Sequence, residues 1–296
     1  MKKTRVNDKN LDSLFARFFS ESTLRQMLKT NHSKGLVKEF LSIIKNSDII
    51  FSGNTYEDLF SFAYSHLSKN YRNEYIYKNA ITKNILLGKH NLNTSFMLQE
   101  FRIGKCKADS VVLNGTSNVY EIKSELDSLD RLQNQVETYL KVFDMVHVIT
   151  HPGQAQKISA VVPKCVGIME LNNKNNISTI REPKSGKKHI KTDLLFDSLR
   201  KAEYQSIVKS FYGDAPKVPN TKAYQVYKEL FIKIPPTKAH DLAVLELKKR
   251  GNNLQLKKFI STAPDYFKSL SLHSRFTKKD AEAIKNLLTL EIGLAN

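Results

Sequence analysis

The sequence predicts an α/β protein: a central α/β core, preceded by a helical segment and followed by a helical basic domain. Three observations predict it. Between residues 96 and 123, three apolar, β-branched or aromatic runs follow one another closely, as strands do. From 128 to 182, helix-patterned and strand-patterned runs alternate. Outside these regions, apolar residues recur at three- and four-residue spacing, which is the signature of amphipathic helices.

Residues 11–28 and 34–46 carry the first helical patterns. FSGNT then breaks the periodicity, and Thr55 followed by Glu57 and Asp58 predicts a capped helix start that runs to about 71. NEYIYKNAITKNILLG (73–88) predicts another amphipathic helix, stopped at Gly88. Strands are predicted over 96–103, 108–113 and 118–123. The link Asn114-Gly115-Thr116-Ser117 predicts a hairpin between the last two. SLDRLQNQVETYLKVF (128–143) predicts a helix with the stripe Leu129, Leu132, Val136, Leu140 and Phe143. The strand MVHVIT, ended by His151-Pro152-Gly153, a short helix at 155–162 and strand-like runs at 166–171 and 176–182 complete the α/β unit. PKSGKKHIK (183–191) reads as an exposed basic linker, and the pattern beyond it is helical to the end. The expected division is therefore 1–70, a helical segment; 71–185, the α/β core; and 190–296, a helical basic domain.

The chain has 296 residues, with 41% hydrophobic residues, enough to bury a core in one large domain or two modest ones. Its 47 Lys and Arg against 29 Asp and Glu give a net charge of +18. Such an excess suits a polyanionic partner, because each cation that neutralises a phosphate releases condensed counterions. A membrane surface fits poorly: the lysines are scattered, and no run approaches the roughly 20 apolar residues of a span. Cys106 and Cys165 stand in no metal-ligand spacing, and the N-terminus lacks the apolar run of a signal peptide. The expected location is the cytoplasm.

The chemistry concentrates in GKCKADSVVLNGTSNVYEIKSELDSLDRLQNQVETY, residues 104–139. Side chains alternate along a strand, so Glu121 and Lys123 share one face. Antiparallel pairing across the Asn-Gly turn brings Asp109 toward Glu121. Two adjacent carboxylates repel unless a divalent cation neutralises them, and Mg²⁺ suits one or two carboxylates with water and phosphate filling its other positions. An ammonium beside them, Lys123, suits charge stabilisation at a phosphorus centre. A bare Glu-x-Lys is more often a solvated hairpin face; the surrounding set is what distinguishes this one. Gly104 lies five residues before Asp109, and Gln135 and Tyr139, four apart, meet on one side of their helix and flank its apolar stripe. By contrast, Ser185-Gly186-Lys187 lacks the upstream glycine of a phosphate loop. His147 and His151 span a strand end, where solvent or core explains them better than a metal, and no Gly-x-Ser-x-Gly occurs.

This pattern resembles the PD-(D/E)XK nuclease superfamily, in the branch containing RecB-type and lambda-exonuclease-like domains. That branch carries a helical Glu, Gly-x4-Asp, (D/E)-x-K and Gln-x3-Tyr, matched here by Glu74, Gly104 with Asp109, Glu121-Ile122-Lys123, and Gln135 with Tyr139. The wording is also similar to uncharacterised bacterial and mobile-element proteins of that superfamily. The resemblance covers about residues 71 to 171. It implies a restriction-endonuclease-like core, a central mixed sheet flanked by helices, in which Asp109 and Glu121, with the Ile122 carbonyl, hold Mg²⁺ (Mn²⁺ substituting). Lys123 is then the catalytic lysine, Glu74 completes the metal site, and Gln135 and Tyr139 position substrate or support the site. The departure is Ala108 where the pattern has proline, and Glu100 competes with Glu74 as the first acidic residue.

The function this implies is a metal-dependent nuclease acting on DNA, with defence against foreign DNA or a mobile element as its setting. RNA is the alternative substrate, and a non-catalytic nucleic-acid-binding or regulatory protein on the nuclease fold is the alternative class. The oligomeric state, including a homo-oligomer, stays open.

Overall fold

The computed structural model describes residues 8–29, 34–46, 49–251, 254–273 and 276–292. The chain forms two compact units. One is discontinuous, built from residues 1–79 and 254–296; the other is the continuous stretch 80–253.

The discontinuous unit begins with α1 (Asp8–Phe18), α2 (Glu21–Leu28), α3 (Lys34–Lys45) and α4 (Tyr56–Asn70). Leu11, Leu14, Phe15 and Phe18 fall at helical spacing on α1 and are all buried. Thr55 caps α4 as expected: its hydroxyl accepts from Asp58 N at 3.2 Å while Asp58 Oδ2 accepts from Thr55 N at 2.9 Å. Hydrogen bonds donated to its carboxylate by Thr55 N, the Thr55 hydroxyl and Asn54 N hold Asp58 below the usual carboxylate range. Helix α5 (Glu74–Ile81) carries the boundary between units. The single helix expected over 73–88 changes geometry here, continuing as π-helical turns over Thr82–Leu87. Asn84, whose amide donates to Ala80 O at 3.0 Å and to Asn175 O at 2.9 Å, sits in those turns.

The continuous unit holds a six-stranded sheet in the order of its sequence: β1 (Phe96–Ile103), β2 (Cys106–Leu113), β3 (Ser117–Lys123), β4 (Met145–Thr150), β5 (Gly167–Leu171) and β6 (Ile177–Arg181). The β1–β2, β2–β3 and β5–β6 pairs are antiparallel; β3–β4 and β4–β5 are parallel. A parallel step needs a crossover, and α6 (Leu132–Tyr139) and α7 (Ala155–Val161) supply the two that are required. The fold is thus the α/β architecture the sequence predicts, with the mixed sheet that the resemblance implies. On β3 and β4, Val119, Val146 and Val148 join the main core with Leu132 and Val136 of α6. Tyr120, Ile122, His147 and Ile149 are buried on the opposite face. His147 stacks on Tyr120 at 4.6 Å between centroids, and burial pulls its pKa down to about 4, a core histidine.

Helices α8 (Thr192–Asp197), α9 (Lys201–Tyr212), α10 (Asn220–Phe231) and α11 (Pro236–Lys248) belong to the same unit as the sheet. Phe196, Ile207, Phe231 and Val244 share one core with Val111 and Val119. His240 of α11 meets the Ser117 hydroxyl at 2.7 Å, a buried link to the start of β3. The division expected at 185–190 is therefore corrected. PKSGKKHIK is not a free linker: Gly186 N donates to Asp144 O at 2.8 Å, Lys191 N to Lys141 O at 2.7 Å, and Ile190 is buried. Helical periodicity shows that a face is apolar but not which partner covers it. The remaining helices, α12 (Leu254–Thr262), α13 (Lys268–His273) and α14 (Lys278–Thr289), return to the discontinuous unit. There Tyr56 N donates to Leu290 O at 3.1 Å and Ile292 N to Asn54 O at 2.8 Å.

Candidate active site

The site forms where β2 stops pairing with β3. Their register runs from Leu113 opposite Ser117 to Ser110 opposite Tyr120. One step further, the Asp109 side chain takes over from the main chain, and Asp109 Oδ2 accepts from Ile122 N at 2.8 Å. A break in side-chain alternation accompanies this change. Ala108 and Val111 of β2 both enter the main core, as do Leu98 and Phe101 of β1, although each pair is three residues apart. Strict alternation sends such residues to opposite faces. The switch coincides with Glu100, which adopts a left-handed φ of 53° between the pairs Gln99–Ser110 and Phe101–Ala108. A side chain in that region costs about 1–3 kcal/mol, and such strain concentrates at functional sites.

On β3, Glu121 and Lys123 share the face of Val119, beneath α6. The expected same-face pairing holds. Glu121 is 2% exposed and Lys123 6%. Lys123 Nζ lies 3.5 Å from Glu121 Oε1 and donates to Gln135 Oε1 at 3.0 Å. The Gln135 amide donates to Glu121 Oε1 at 2.5 Å, closing a three-membered ring of side chains. Tyr139 Oη is 2.8 Å from Glu121 Oε2 and 3.0 Å from Lys107 O. It carries one proton and donates to one of them at a time. Tyr139 is fully buried, so its expected place flanking the stripe is corrected to one inside the core. Gln135 and Asp109 are the partly exposed members, which makes their side the approach to the pair.

Burial, followed by the charge of Asp109, pushes the Glu121 carboxyl up to about 8; Lys123 and the Tyr139 hydrogen bond pull it partly back. The Tyr139 phenol is raised by burial and by the same carboxylate. Two carboxylates and the Ile122 main-chain carbonyl, on the strand of Glu121, are hard oxygen donors of the kind Mg²⁺ takes. Burial and the Asp109 charge disfavour the ionised form of Glu121, a cost that a divalent cation beside the two carboxylates would offset, and the oxygen donor set fits such an ion. Among the described residues no group of three or more His, Cys, Asp and Glu gathers to hold a metal by itself. Asp109, Glu121 and the Ile122 carbonyl would need water or substrate oxygens to complete a shell.

The structure brings Asp109, Glu121, Lys123, Gln135 and Tyr139 together. Glu74 is described with the other unit, where it pairs with Lys78 at 2.6 Å and its side chain is 54% exposed. Glu100 pairs with Lys107 at 2.7 Å. Two supports were not foreseen from sequence. Thr150, opposite Lys123 in the parallel register, meets Lys123 O at 2.8 Å and Gln154 Oε1 at 2.7 Å through its hydroxyl. Asp127 accepts from Ser124 N at 2.9 Å and from the Ser124 hydroxyl at 2.7 Å, fixing the turn after the lysine. The Ser-x-x-Asp spacing is a legible turn signal; Thr150 has none without the register.

Comparison with known proteins adds three findings. The family model described as "Bacteriophage P4 protein cII" matches residues 67–267, a stretch that contains every residue named above as a site candidate. Protein cII of Enterobacteria phage P4 is 33% identical over 70 residues, which span 24% of this chain and 26% of that protein. The SPO1766 protein of unknown function from Silicibacter pomeroyi aligns over 47% of this chain and 73% of its own, at 13% identity and a TM-score of 0.26, too slight a likeness to carry an argument. With more than half of its length matched by the family model, the chain belongs to the bacteriophage P4 protein cII family.

Proposed function

We propose that this protein is a metal-dependent nuclease that hydrolyses phosphodiester bonds in DNA. The observation that carries the reading is the linked set Asp109, Glu121 and Lys123, joined through Gln135 and Tyr139 on one face of the sheet. Asp109 and Glu121, with the Ile122 carbonyl, are the residues that would hold Mg²⁺. When bound, the ion supplies a lowered pKa for a coordinated water and polarisation of the phosphoryl oxygen. Gln135 keeps the Lys123 ammonium and the Glu121 carboxylate at fixed separation by donating to one and accepting from the other. Lys123 presents a buried positive charge toward the reacting phosphate, where low polarity strengthens it. Tyr139 holds one oxygen of Glu121 and leaves the other side of the pair for substrate. Membership of a phage protein family supports a mobile-element setting.

The burial of Glu121 and Lys123 favours a second reading, a nucleic-acid-binding protein that keeps these residues as core structure. Incubation with plasmid, linear duplex, single-stranded DNA and RNA in Mg²⁺, Mn²⁺ or EDTA separates the two. The nuclease reading expects cleavage of DNA with either metal, none in EDTA, and none by Glu121→Gln or Lys123→Ala. Gln135→Ala should lose roughly 10–100-fold, the usual cost of a residue that orients a metal ligand. Binding without cutting by the wild type under every metal condition would sink it.

A further inference from the structure

We infer that the tip of the β1–β2 hairpin grips the phosphodiester backbone of DNA through Arg102, Lys105 and Lys107. The inference deepens the nuclease reading and rests on it only for what becomes of the strand once held. Register places Arg102 directly opposite Lys107, so their side chains share a face, and Lys105 sits in the turn between. All three are exposed. Like charges directly opposite on antiparallel strands repel, and the tip adds a third cation to that pair. Lys107 has a carboxylate partner in Glu100, but that ion pair is solvated, with side chains 49% and 36% exposed. Arg102 and Lys105 form no ion pair among the described residues. Three cations against one carboxylate leave the tip at a net +2. A phosphate between Arg102 and Lys107 converts their repulsion into shared attraction, and the planar guanidinium suits two phosphate oxygens at once.

The tip is also fixed beside the site. Phe101 and Ile103 anchor the hairpin in the core, and Gly104 turns it with a φ of 54°. The Tyr139 phenol touches both Lys107 O and Glu121 Oε2, so the main chain of the tip stands one side chain from the catalytic carboxylate. Asp109 follows Lys107 by two residues. Cations held on a rigid hairpin bind a strand with little ordering cost, and they hold it at the partly exposed approach to Asp109.

The test uses the full chain, a fluorescein-labelled short DNA duplex and EDTA, with anisotropy read across a salt series. The variant with Arg102→Gln, Lys105→Gln and Lys107→Gln is expected to bind more weakly, with a salt dependence shallower by roughly 2 to 3 in log–log slope, about 0.9 for each phosphate no longer neutralised. Arg102→Glu alone removes the cross-strand repulsion, so its Tm should hold or rise while DNA affinity falls; a loss of fold cannot produce that combination. Wild-type affinity and slope in the triple variant would overturn the inference. Hairpin-dependent binding of a matching RNA, with none of DNA, would overturn the DNA assignment. If wild type never cuts in Mg²⁺ yet the variants lose binding, the nuclease reading fails and the hairpin stands. If wild type cuts and the variants bind normally, the reverse holds.

Discussion

Both oxygens of Glu121 are engaged by neighbouring side chains, the partly exposed Gln135 and the buried Tyr139, and the residue itself is 2% exposed, so little water reaches the charge that ionisation creates there. Its folded pKa, about 8, lies above the ordinary value of 4.5. The folded state therefore holds this proton more tightly than the unfolded chain. The stability it contributes is complete below pH 4.5 and is lost as pH rises through 8. In metal-free protein, Tm should fall more steeply between pH 5 and 8 for wild type than for Glu121→Gln, which has no proton to lose. Added Mg²⁺ competes with the proton, so its stabilising effect should grow over the same window. Parallel pH profiles for the two proteins would contradict the raised pKa. The identities of the five clustered residues were legible because their spacing is local: Glu121 to Lys123 is a strand repeat, Gln135 to Tyr139 a helix turn. Thr150 and the left-handed Glu100 were not, since one depends on parallel register and the other on a backbone state that no residue type demands.

Strand positions were readable almost to the residue, and the β2–β3 hairpin followed from its Asn-Gly turn, whereas the β1–β2 hairpin did not announce itself. At the first hairpin, Ile103 pairs with Cys106, leaving Gly104 and Lys105 as a two-residue loop. Gly104 has positive φ and Lys105 does not, the pattern of a type II′ turn with glycine in its first central position. A Cβ at Gly104 meets only Leu194, at 3.6 Å, so space is not the constraint. Gly104→Ala should cost about 1–2 kcal/mol through backbone conformation, read from the urea midpoint; an unchanged midpoint would show that the turn adapts. Helical ends were less legible. The run 192–211 reads as one helix but splits into α8 and α9, because Glu203 accepts from Arg200 N at 2.7 Å and begins a new one. The same carboxylate takes Arg250 at 2.6 Å, a partner 47 residues away that helical periodicity cannot reveal.

At the scale of the molecule, the two units have separate cores. The aromatic cluster of Phe15, Phe18, Phe40 and Phe60 belongs to one, and the sheet core with α6–α11 to the other. Calorimetry should resolve two transitions, with Mg²⁺ raising only the one that reports the sheet, since ligand stabilises the state that binds it. A single transition shifted as a whole would argue for one cooperative body.

The order of synthesis follows from the discontinuous unit. A growing chain emerges from its N-terminus, at about 5–20 residues per second. Residues 80–253 are contiguous and leave the ribosome with the partners of their own unit present. Tyr56 and Asn54, by contrast, wait for Leu290 and Ile292, nearly the last described residues to be made. The sheet can therefore mature on the nascent chain while the aromatic helices ahead of it stay incomplete, in need of shelter until Leu290 and Ile292 emerge.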